Sequence, residues 1–347
     1  MSLSEFELIR RYFGDAAAGA VQRAGAGHTA GDTTGTPGTV TGARRDDVVL
    51  GVGDDGAILR PPPGMDLVAV TDTMIEGAHF PVGSAPVSIG HRALAVNLSD
   101  IAAMGAAPAW ALLALTLPQA DEAWLAAFTD GFARLARAHD VALVGGDTTR
   151  GAVVVTVQVI GLVPAGQGTR RSGGRPGDWV FVSGTPGDAA SGLTLEMGAE
   201  GPGGLDEAWL RDRFLYPTPR VALGQLLRPL ASACIDVSDG LFGDLGKLAA
   251  ASGCGAEIDV TRLPLSPALI RLLGVERALQ RALGGGDDYE LCFTIPDERL
   301  VEAQTLLAAQ PTPTRCIGRL RSGSDVVLQR AGTVMEFSHS GFDHFAR

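Results

Sequence analysis

The sequence predicts a two-domain α+β protein in which mixed sheets and helices alternate along both halves of the chain. The 347 residues exceed what a single hydrophobic core usually covers. Short apolar or β-branched runs alternate with segments of helical period. A break rich in Gly, Pro and Arg at 164–178 separates two such series. We therefore place an N-terminal domain at 1–165 and a C-terminal domain at 166–347.

The N-terminal half opens with a capped helix over 4–14. Ser4 can cap this helix, and Glu7 follows three residues later, as in a capping box. Residues 15–45 are rich in Ala, Gly and Thr and keep no hydrophobic period, which predicts a mobile surface insertion. Strands are then predicted over 48–53, 67–73, 111–117, 141–149 and 153–163.

Two longer helices of this half, over 87–105 and 121–139, are predicted from apolar residues at helical spacing. The inward positions of the first are Ile89, Ala93, Val96 and Leu98. The apolar face of the second carries Trp124, Phe128, Phe132 and Leu135.

The C-terminal half restarts with an apolar strand over 179–184. Helices are predicted over 187–198, 206–214, 219–231 and 243–252, and the segment IDVSDGL at 235–241 leads into the last of them. Later strands are predicted over 290–295 and 326–330. Strands and helices thus alternate here as in the first half.

Composition excludes several classes of protein. A net charge of −11 disfavours nucleic-acid binding, since phosphate neutralisation requires Lys and Arg. The four cysteines form no CxxC pair, which argues against a zinc site and favours buried thiols in a reducing cytosol. No run of about 18 apolar residues occurs, and the N-terminus has no apolar signal region. We expect a soluble, cytoplasmic protein with no membrane partner.

A recurring pattern concerns aspartates in small-residue turns that follow apolar strands. The turns are Gly53-Asp54-Asp55, Thr71-Asp72-Thr73, Asn97-Leu98-Ser99-Asp100, Gly145-Gly146-Asp147-Thr148-Thr149, Asp236-Val237-Ser238-Asp239-Gly240 and Gly286-Asp287-Asp288. Strand ends are where ligand sites collect, and carboxylate and hydroxyl oxygens suit Mg²⁺. A single Asp-Gly is usually only a turn, and an aspartate-rich metal site also fits a phosphatase or nuclease.

Other phosphate-binding motifs are missing from the sequence. The nearest match to a P-loop, from Gly240 to Lys247, has one residue too many and Leu248 where a hydroxyl is needed. No G-x-G-x-x-G follows a strand, and neither the protein-kinase signatures nor a G-x-S-x-G are present. Any nucleotide site must therefore be of another type.

Eight segments occur in the order and spacing of one enzyme family. They are GVGDDGAIL, AVTDTMIEGAHF, ALAVNLSDIAAMGAAPAW, VGGDTTRG, TRRSGGRPGDW, IDVSDGL, GGGDDYELCFT and GFDHF. With them the chain resembles the thiamine-monophosphate kinases, over all but 15–45 and parts of 255–283. The resemblance implies a two-domain α+β fold of the aminoimidazole ribonucleotide synthetase type, an ATP site with several Mg²⁺ ions, and a homodimer formed through the N-terminal domain.

The resemblance also implies roles for individual residues. The implied metal-binding positions are Asp55, Val70, Thr71, Asp72, Asp100, Asp147, Asp236 and Asp239. Val70 can contribute only a backbone carbonyl. The implied ATP-binding positions are Gly146, Arg171 and Ser238, and the implied substrate-binding positions are His79, Asp287 and Phe342. Relatives commonly carry glutamate at the position of Asp287, so the contact of its shorter side chain is an open point.

The implied reaction is phosphorylation of thiamine monophosphate by ATP, giving thiamine diphosphate, by direct in-line transfer with no acid–base residue. Two alternatives stay open. One is another ATP-using member of the same superfamily with a different acceptor. The other is a catalytically silent nucleotide-binding regulator that has kept the fold.

Overall fold

The structure, a computed structural model, describes residues 11–13, 42–198 and 203–337. Its strands are β1 Val48–Leu50, β2 Ile58–Leu59, β3 Met65–Ile75, β4 Ala107–Leu117, β5 Ala142–Arg150, β6 Val154–Pro164, β7 Trp179–Ser183, β8 Ala233–Val237, β9 Gly255–Asp259, β10 Glu290–Ile295, β11 Thr314–Arg321, β12 Val326–Arg330 and β13 Thr333–Met335. Its α-helices are α1 Pro86–Ala103, α2 Glu122–Ala138, α3 Asp188–Glu196, α4 Leu205–Leu215, α5 Val221–Leu227, α6 Leu241–Ala251, α7 Pro267–Leu273, α8 Val275–Gly284 and α9 Leu300–Ala308. Short 3-10 helices cover Val260–Arg262 and Asp297–Arg299.

The first compact unit comprises residues 1–97 and 108–165. Its sheet has the strand order β3-β6-β4-β5. β3 pairs antiparallel with β6 along its whole length, from Met65 opposite Pro164 to Ile75 opposite Val154. β4 and β5 run parallel. Alternate residues of β6, such as Val155 and Val157, are buried, so one face of this sheet packs into the core.

Helices α1 and α2 confirm the two longest helical predictions, and their predicted inward residues are buried apart from the half-buried Trp124. Asp121 caps α2 by accepting the backbone N–H groups of Ala123 and Trp124. The two helices cross closely at Gly90 and Gly131. A Cβ on Gly90 would lie 2.0 Å from the Phe128 carbonyl oxygen, so only glycine permits this crossing.

The second compact unit comprises residues 98–107 and 166–347. Its described part contains a seven-stranded sheet with the order β13-β12-β9-β11-β7-β10-β8. β12 runs parallel to β9, whereas β7, β8, β10 and β11 pair antiparallel. Every residue of β8 and β10 is buried, and α6 contributes Leu241, Leu245 and Leu248 to the core over this sheet.

The elements that the sequence did not predict lie mostly after residue 250. They are β2, β9, β11, β13, α7, α8 and α9. β11 carries three arginines and a glycine in eight residues, which no strand pattern suggests. A Cβ on Gly318 would lie 1.8 Å from the Glu257 carbonyl oxygen, so this glycine serves a close approach of β9.

The predicted insertion and the predicted N-terminal helix fall largely outside the described residues. Of the helix over 4–14, residues 11–13 are described. Of the insertion over 15–45, residues 42–45 are described, and they contact other parts of the first unit. Ala43 donates its backbone N–H to the Val141 carbonyl at 2.9 Å, and Arg45 pairs with Asp47 and Asp140. No helix in the described ranges is both long and apolar enough to span a membrane.

Candidate functional site

A glycine bulge shapes the first part of the candidate site, in the first unit. Along the β4–β5 ladder, Ala111 pairs with Leu143 but Leu112 pairs with Gly145, so Val144 is an extra residue. Such a bulge turns the following side chains. Gly146 has φ of 154°, and a Cβ there would lie 1.8 Å from the Leu113 carbonyl oxygen. Glycine is therefore required where the strand presents Asp147.

The bulge borders a cavity of about 680 Å³ on the open face of the four-stranded sheet. Four of the predicted site residues line it, namely Asp55, Thr71, Gly146 and Asp147. Asp55 and Asp147 are exposed, and no ion pair engages either carboxylate within the described ranges. The Thr71 hydroxyl donates to the Val157 carbonyl at 3.2 Å, which leaves lone pairs on its oxygen. The lining of the cavity thus includes oxygen donors and the glycine bulge.

Asp72 and Val70 lie on the other face of β3. Thr71 is opposite Gln158, a second cavity residue, whereas Asp72 is opposite Val157, which is buried. Successive side chains of a strand point to opposite faces, so Asp72 does not share the cavity with Thr71. The Asp72 carboxyl is half-buried, and burial raises its pKa above the usual range.

His79 lies in the turn that follows β3. Its Nδ1 accepts the backbone N–H of Ile75 at 3.0 Å, and its own backbone N–H donates to the Ile75 carbonyl at 2.9 Å. Because Nδ1 is an acceptor, a neutral ring carries its proton on Nε2. The turn therefore fixes both the orientation and the tautomer of this half-buried imidazole.

In the second unit, the end of β8 brings three predicted residues together. Asp236 is near the end of β8, and Ser238 and Asp239 follow in the turn between β8 and α6. Asp236 is buried, and its Oδ2 accepts a hydrogen bond from Ser99 Oγ at 2.9 Å. Ser99 immediately precedes Asp100 near the end of α1. This hydrogen bond therefore holds the Asp100 segment against the β8 turn.

Asp244, in the first turn of α6, supports this arrangement and was not predicted from the sequence. One oxygen, Oδ2, accepts the backbone N–H groups of Ser238, Asp239 and Gly240 at 3.0, 2.9 and 3.2 Å. The carboxyl is buried, and burial raises its pKa whereas Lys247 lowers it. Asp244 thus fixes the backbone of the turn from beneath. The signal in the sequence is an acidic residue five positions after Asp239, inside the first turn of a predicted helix.

Asp287 lies in a second turn, packed against the first. Its backbone N–H donates to the Ser238 carbonyl at 2.8 Å, and Tyr289 donates its hydroxyl proton to Asp287 Oδ1 at 3.1 Å. Asp287 has a φ of 65°, a left-handed conformation that Asp tolerates better than most residues. The two turns therefore form one assembly that contains Ser238, Asp239 and Asp287.

Arg171 extends from a loop that is fixed by its backbone. The Arg171 carbonyl accepts from Ser252 Oγ at 3.1 Å, and the neighbouring Arg170 carbonyl accepts the Cys234 N–H at 2.9 Å. The Arg171 side chain is exposed and makes no ion pair within the described ranges. A solvent-facing guanidinium on a fixed loop is suited to binding an anion.

Two sequence predictions remain, namely the substrate-binding residue Phe342 and the set of metal ligands. Phe342 lies outside the described residues. Within residues 11–13, 42–198 and 203–337, no group of three or more His, Cys, Asp or Glu side chains converges in a way that could hold a metal ion by itself. The predicted ligands are instead distributed over strands β3, β5 and β8, helix α1, and the segments of Asp55 and Asp239.

Comparison with known proteins identifies the family. Residues 53–163 match the AIR synthase related protein, N-terminal domain, and residues 175–329 match the AIR synthase related protein, C-terminal domain. The chain is 47% identical over 302 residues to the thiamine-monophosphate kinase of Escherichia coli (strain K12), an alignment covering 86% of this chain and 93% of the relative. The chain belongs to the thiamine-monophosphate kinase family. The family and the α+β fold predicted from the sequence are thereby confirmed.

Solved structures agree with this assignment. The thiamine-monophosphate kinase of Stenotrophomonas maltophilia K279a is 48% identical with a TM-score of 0.78, covering 84% of this chain and 93% of that one. A structure of AaThiL complexed with AMPPCP and TMP is 34% identical with a TM-score of 0.72, covering 85% of this chain and 92% of that one.

The segment Asp287-Asp288-Tyr289-Glu290 also contains two buried acids, Asp288 and Glu290, for which the sequence predicted no structural role. Asp288 accepts the backbone N–H of Gly187 at 2.7 Å at the start of α3, and burial raises its pKa well above the usual range. Glu290 is fully buried and pairs with Arg213 and Arg220. Of these neighbouring acids, Asp287 alone is not fully enclosed, and it is the one predicted to contact substrate.

Proposed function

We propose that this protein transfers the γ-phosphoryl group of ATP to thiamine monophosphate, forming ADP and thiamine diphosphate in thiamine diphosphate biosynthesis. The observation that carries the proposal is the Gly145–Asp147 bulge, which presents a carboxylate and a glycine turn to the same cavity as Asp55 and Thr71. Family membership supplies the acceptor, since the relatives are named thiamine-monophosphate kinases. A related structure was solved with AMPPCP and TMP.

Magnesium is the ion that the donor set fits best. The predicted ligands offer hydroxyl, carboxylate and carbonyl oxygens, with no His or Cys among them. Mg²⁺ usually takes only one or two carboxylates and completes its shell with waters and substrate phosphates, so separate segments that each supply one to three ligands fit several ions. The proposed ligands are Asp55, Val70, Thr71, Asp72, Asp100, Asp147, Asp236 and Asp239. When bound, the ions would offset the repulsion between two polyanionic substrates.

We assign nucleotide binding to Gly146, Arg171 and Ser238. The absence of a Cβ at Gly146 lets the backbone approach a phosphate, as glycine turns do in other phosphate sites. The exposed guanidinium of Arg171 can make a bidentate contact with a phosphate. Ser238 lies where three backbone N–H groups converge on Asp244, which fixes the backbone that carries its hydroxyl.

We assign substrate binding to His79, Asp287 and Phe342. His79 is held with Nδ1 as an acceptor, so a neutral ring would offer the Nε2 proton to the anionic end of thiamine monophosphate. Asp287 provides a carboxylate suited to the cationic part of the substrate. The Tyr289 hydroxyl restrains that carboxylate by a hydrogen bond.

The chemistry needs no general base. The acceptor is a phosphate oxygen that is already largely anionic near pH 7, since its second pKa is about 6. Alignment of the donor and acceptor phosphates, with charge neutralisation, then accounts for the rate. The chain's own groups position the substrates for in-line transfer, and no covalent phospho-enzyme is required.

We further propose a cytoplasmic homodimer formed through the first unit. The described sheet of this unit ends in β3 and β5, each with one neighbouring strand. β3 also exposes the apolar side chains of Leu67 and Ile75, at 55% and 41% of their surface, so a second copy could cover both the edge of this strand and these side chains. All four cysteines are free thiols, which suits a reducing compartment. Analytical ultracentrifugation tests the dimer, and a monomer at micromolar concentration would refute it.

The deciding experiment is incubation of the purified protein with ATP, Mg²⁺ and thiamine monophosphate. We expect stoichiometric formation of ADP and thiamine diphosphate. A parallel panel with selenide and formylglycinamidine ribonucleotide tests other superfamily acceptors. Turnover of one of these instead, or ATP binding with no ADP formed on any acceptor, would overturn the proposal.

A further inference from the structure

Lys247 is the only lysine in the sequence of 347 residues. The sequence has 28 Lys and Arg residues in total, and all the others are arginines. Its ammonium lies between two carboxylates of the second unit, at 2.5 Å from Asp239 Oδ2 and 2.8 Å from Asp244 Oδ1. An ammonium is a compact point charge that can bridge two oxygens in this way, whereas the guanidinium of arginine is a wider planar group. The single lysine is therefore located where a small cation fits.

Asp244 holds Lys247 in this position. Its Oδ2 is saturated by three backbone N–H groups, and the Lys247 ammonium is the partner of the other oxygen, Oδ1. The Asp244 side chain is 1% exposed, so losing that partner would leave a buried anionic oxygen unpaired, which is unfavourable. Lys247 also lies three residues after Asp244 on α6, a spacing that brings side chains together.

Asp239 is the outer member of this arrangement. Its side chain is 34% exposed, and that of Lys247 is 45% exposed, so solvent and ions can reach the pair. Asp239 is also one of the proposed Mg²⁺ ligands. A divalent cation bound at Oδ2 would take the oxygen that the ammonium contacts, and one bound at Oδ1 would lie close to the ammonium, so in either position the two like charges repel.

We infer that Lys247 is an internal counter-cation of Asp239, anchored by Asp244, which competes with a divalent cation for the Asp239 carboxylate. This inference rests on the proposed function in one respect, namely that Asp239 is a metal ligand. It makes Lys247 a positioning residue, because it controls when the Asp239 carboxylate becomes available. Until a metal ion binds, the positive charge of Lys247 balances the negative charge of this carboxylate.

The test is titration of the full-length, metal-stripped protein with Mn²⁺, with free Mn²⁺ followed by electron paramagnetic resonance. Mn²⁺ binding that is present in the wild type and absent in Asp239→Asn is attributed to Asp239, and the variants are compared in that part of the isotherm. Lys247→Met removes the charge but keeps the apolar stem, and we expect about fivefold tighter Mn²⁺ binding, the upper end for a partly exposed ion pair. Lys247→Arg keeps the charge, so its Mn²⁺ affinity should stay nearer to wild type than that of Lys247→Met, even though the wider guanidinium fits the position less well. Equal or weaker binding by Lys247→Met overturns the inference.

Asp239→Asn separates the two ways of failing. If Asp239→Asn weakens Mn²⁺ binding while Lys247→Met leaves it unchanged, the counter-cation role of Lys247 is refuted and the assignment of Asp239 as a metal ligand is kept. If Asp239→Asn leaves binding unchanged, the ligand assignment fails and the inference fails with it. The kinase assay with thiamine monophosphate is scored independently of both.

A second measurement needs no variant. Labelling with ¹⁵N-lysine yields a single side-chain ammonium resonance, because the chain has one lysine. We expect this resonance to move when Mg²⁺ is added to the wild-type protein, and to stay unchanged in Asp239→Asn. If the chemical shift of this resonance stays unchanged at an Mg²⁺ concentration that saturates binding, the inferred competition between Lys247 and the metal ion is overturned.

Discussion

Glu290 offers the sharpest test of the second unit's architecture. Its fully buried carboxylate accepts hydrogen bonds from Arg213 Nη2 at 2.9 Å, from Arg220 Nε and Nη2 at 2.7 and 2.5 Å, and from Ser183 Oγ at 2.6 Å. Glu290→Gln keeps the shape, but removes the charge and turns an NH₂ group toward guanidinium donors. Both arginine side chains are at most 14% exposed, so neither regains full hydration.

Truncating one partner of a buried ion pair costs about 3–5 kcal/mol, because the remaining charge is left uncompensated. For a unit of this size, each kcal/mol lowers the melting temperature by about 2–4 °C. We therefore expect Glu290→Gln to lower the melting temperature of the second unit by roughly 6–20 °C, measured by circular dichroism. Asp287 precedes Glu290 by three residues, so the affinity for thiamine monophosphate should fall as well.

Glu298→Gln is the matched control. Glu298 is exposed on a short 3-10 helix, and surface changes of this kind usually stay within about 0.5 kcal/mol. A loss below about 1 kcal/mol for Glu290→Gln would refute the argument. It would mean that the two arginines find other partners or water, and that the buried carboxylate is not what compensates them.

Three further predictions concern the candidate site. Burial raises the pKa of Asp72, so the stability of the metal-free protein should fall as pH rises from the ordinary Asp pKa through the raised one. Asp72→Asn should remove this loss, raise the melting temperature at pH 7, and lower turnover by about 10²–10³-fold. A lower melting temperature or normal turnover would contradict it. Gly146→Ala should cost about 1–3 kcal/mol through strain and greatly reduce turnover. Gly246→Ala, whose Cβ would make only an ordinary contact at 3.8 Å with Val326 Cγ2, should do neither, and equal activity in the two variants would refute the backbone argument. His79→Ala should raise the KM for thiamine monophosphate more than that for ATP, and equal changes would exclude a substrate role.

Elements with a strong local period could be predicted from the sequence. Helix α2 combines a capping aspartate with stacked, buried Phe128 and Phe132, and these features act within one segment. β11 could not be predicted, because its arginines and Gly318 are explained only by the neighbouring strands β7 and β9. The grouping of residues 98–107 with the second unit likewise depends on packing far along the chain.

The candidate site was predictable in composition but not in arrangement. Adjacent residues of a strand face opposite sides, so the sequence alone could have separated Thr71 from Asp72. The spacing of Asp244 and Lys247 is also a local signal. The contact of Lys247 with Asp239, eight positions away, requires the path of the turn after β8, and no periodicity predicts that path.

The proposed metal ligands differ in what holds each carboxylate when no ion is bound. Asp55 and Asp147 face an open cavity and have no ion pair within the described ranges. Asp239 is paired with Lys247, so an ion that binds it must compete with an ammonium. It follows that the cavity carboxylates of the first unit should bind Mg²⁺ at lower concentrations than Asp239 does. The phosphates of an arriving nucleotide add negative charge and further ligands, and they would tip the competition at Asp239 toward the metal, which makes binding there depend on the nucleotide.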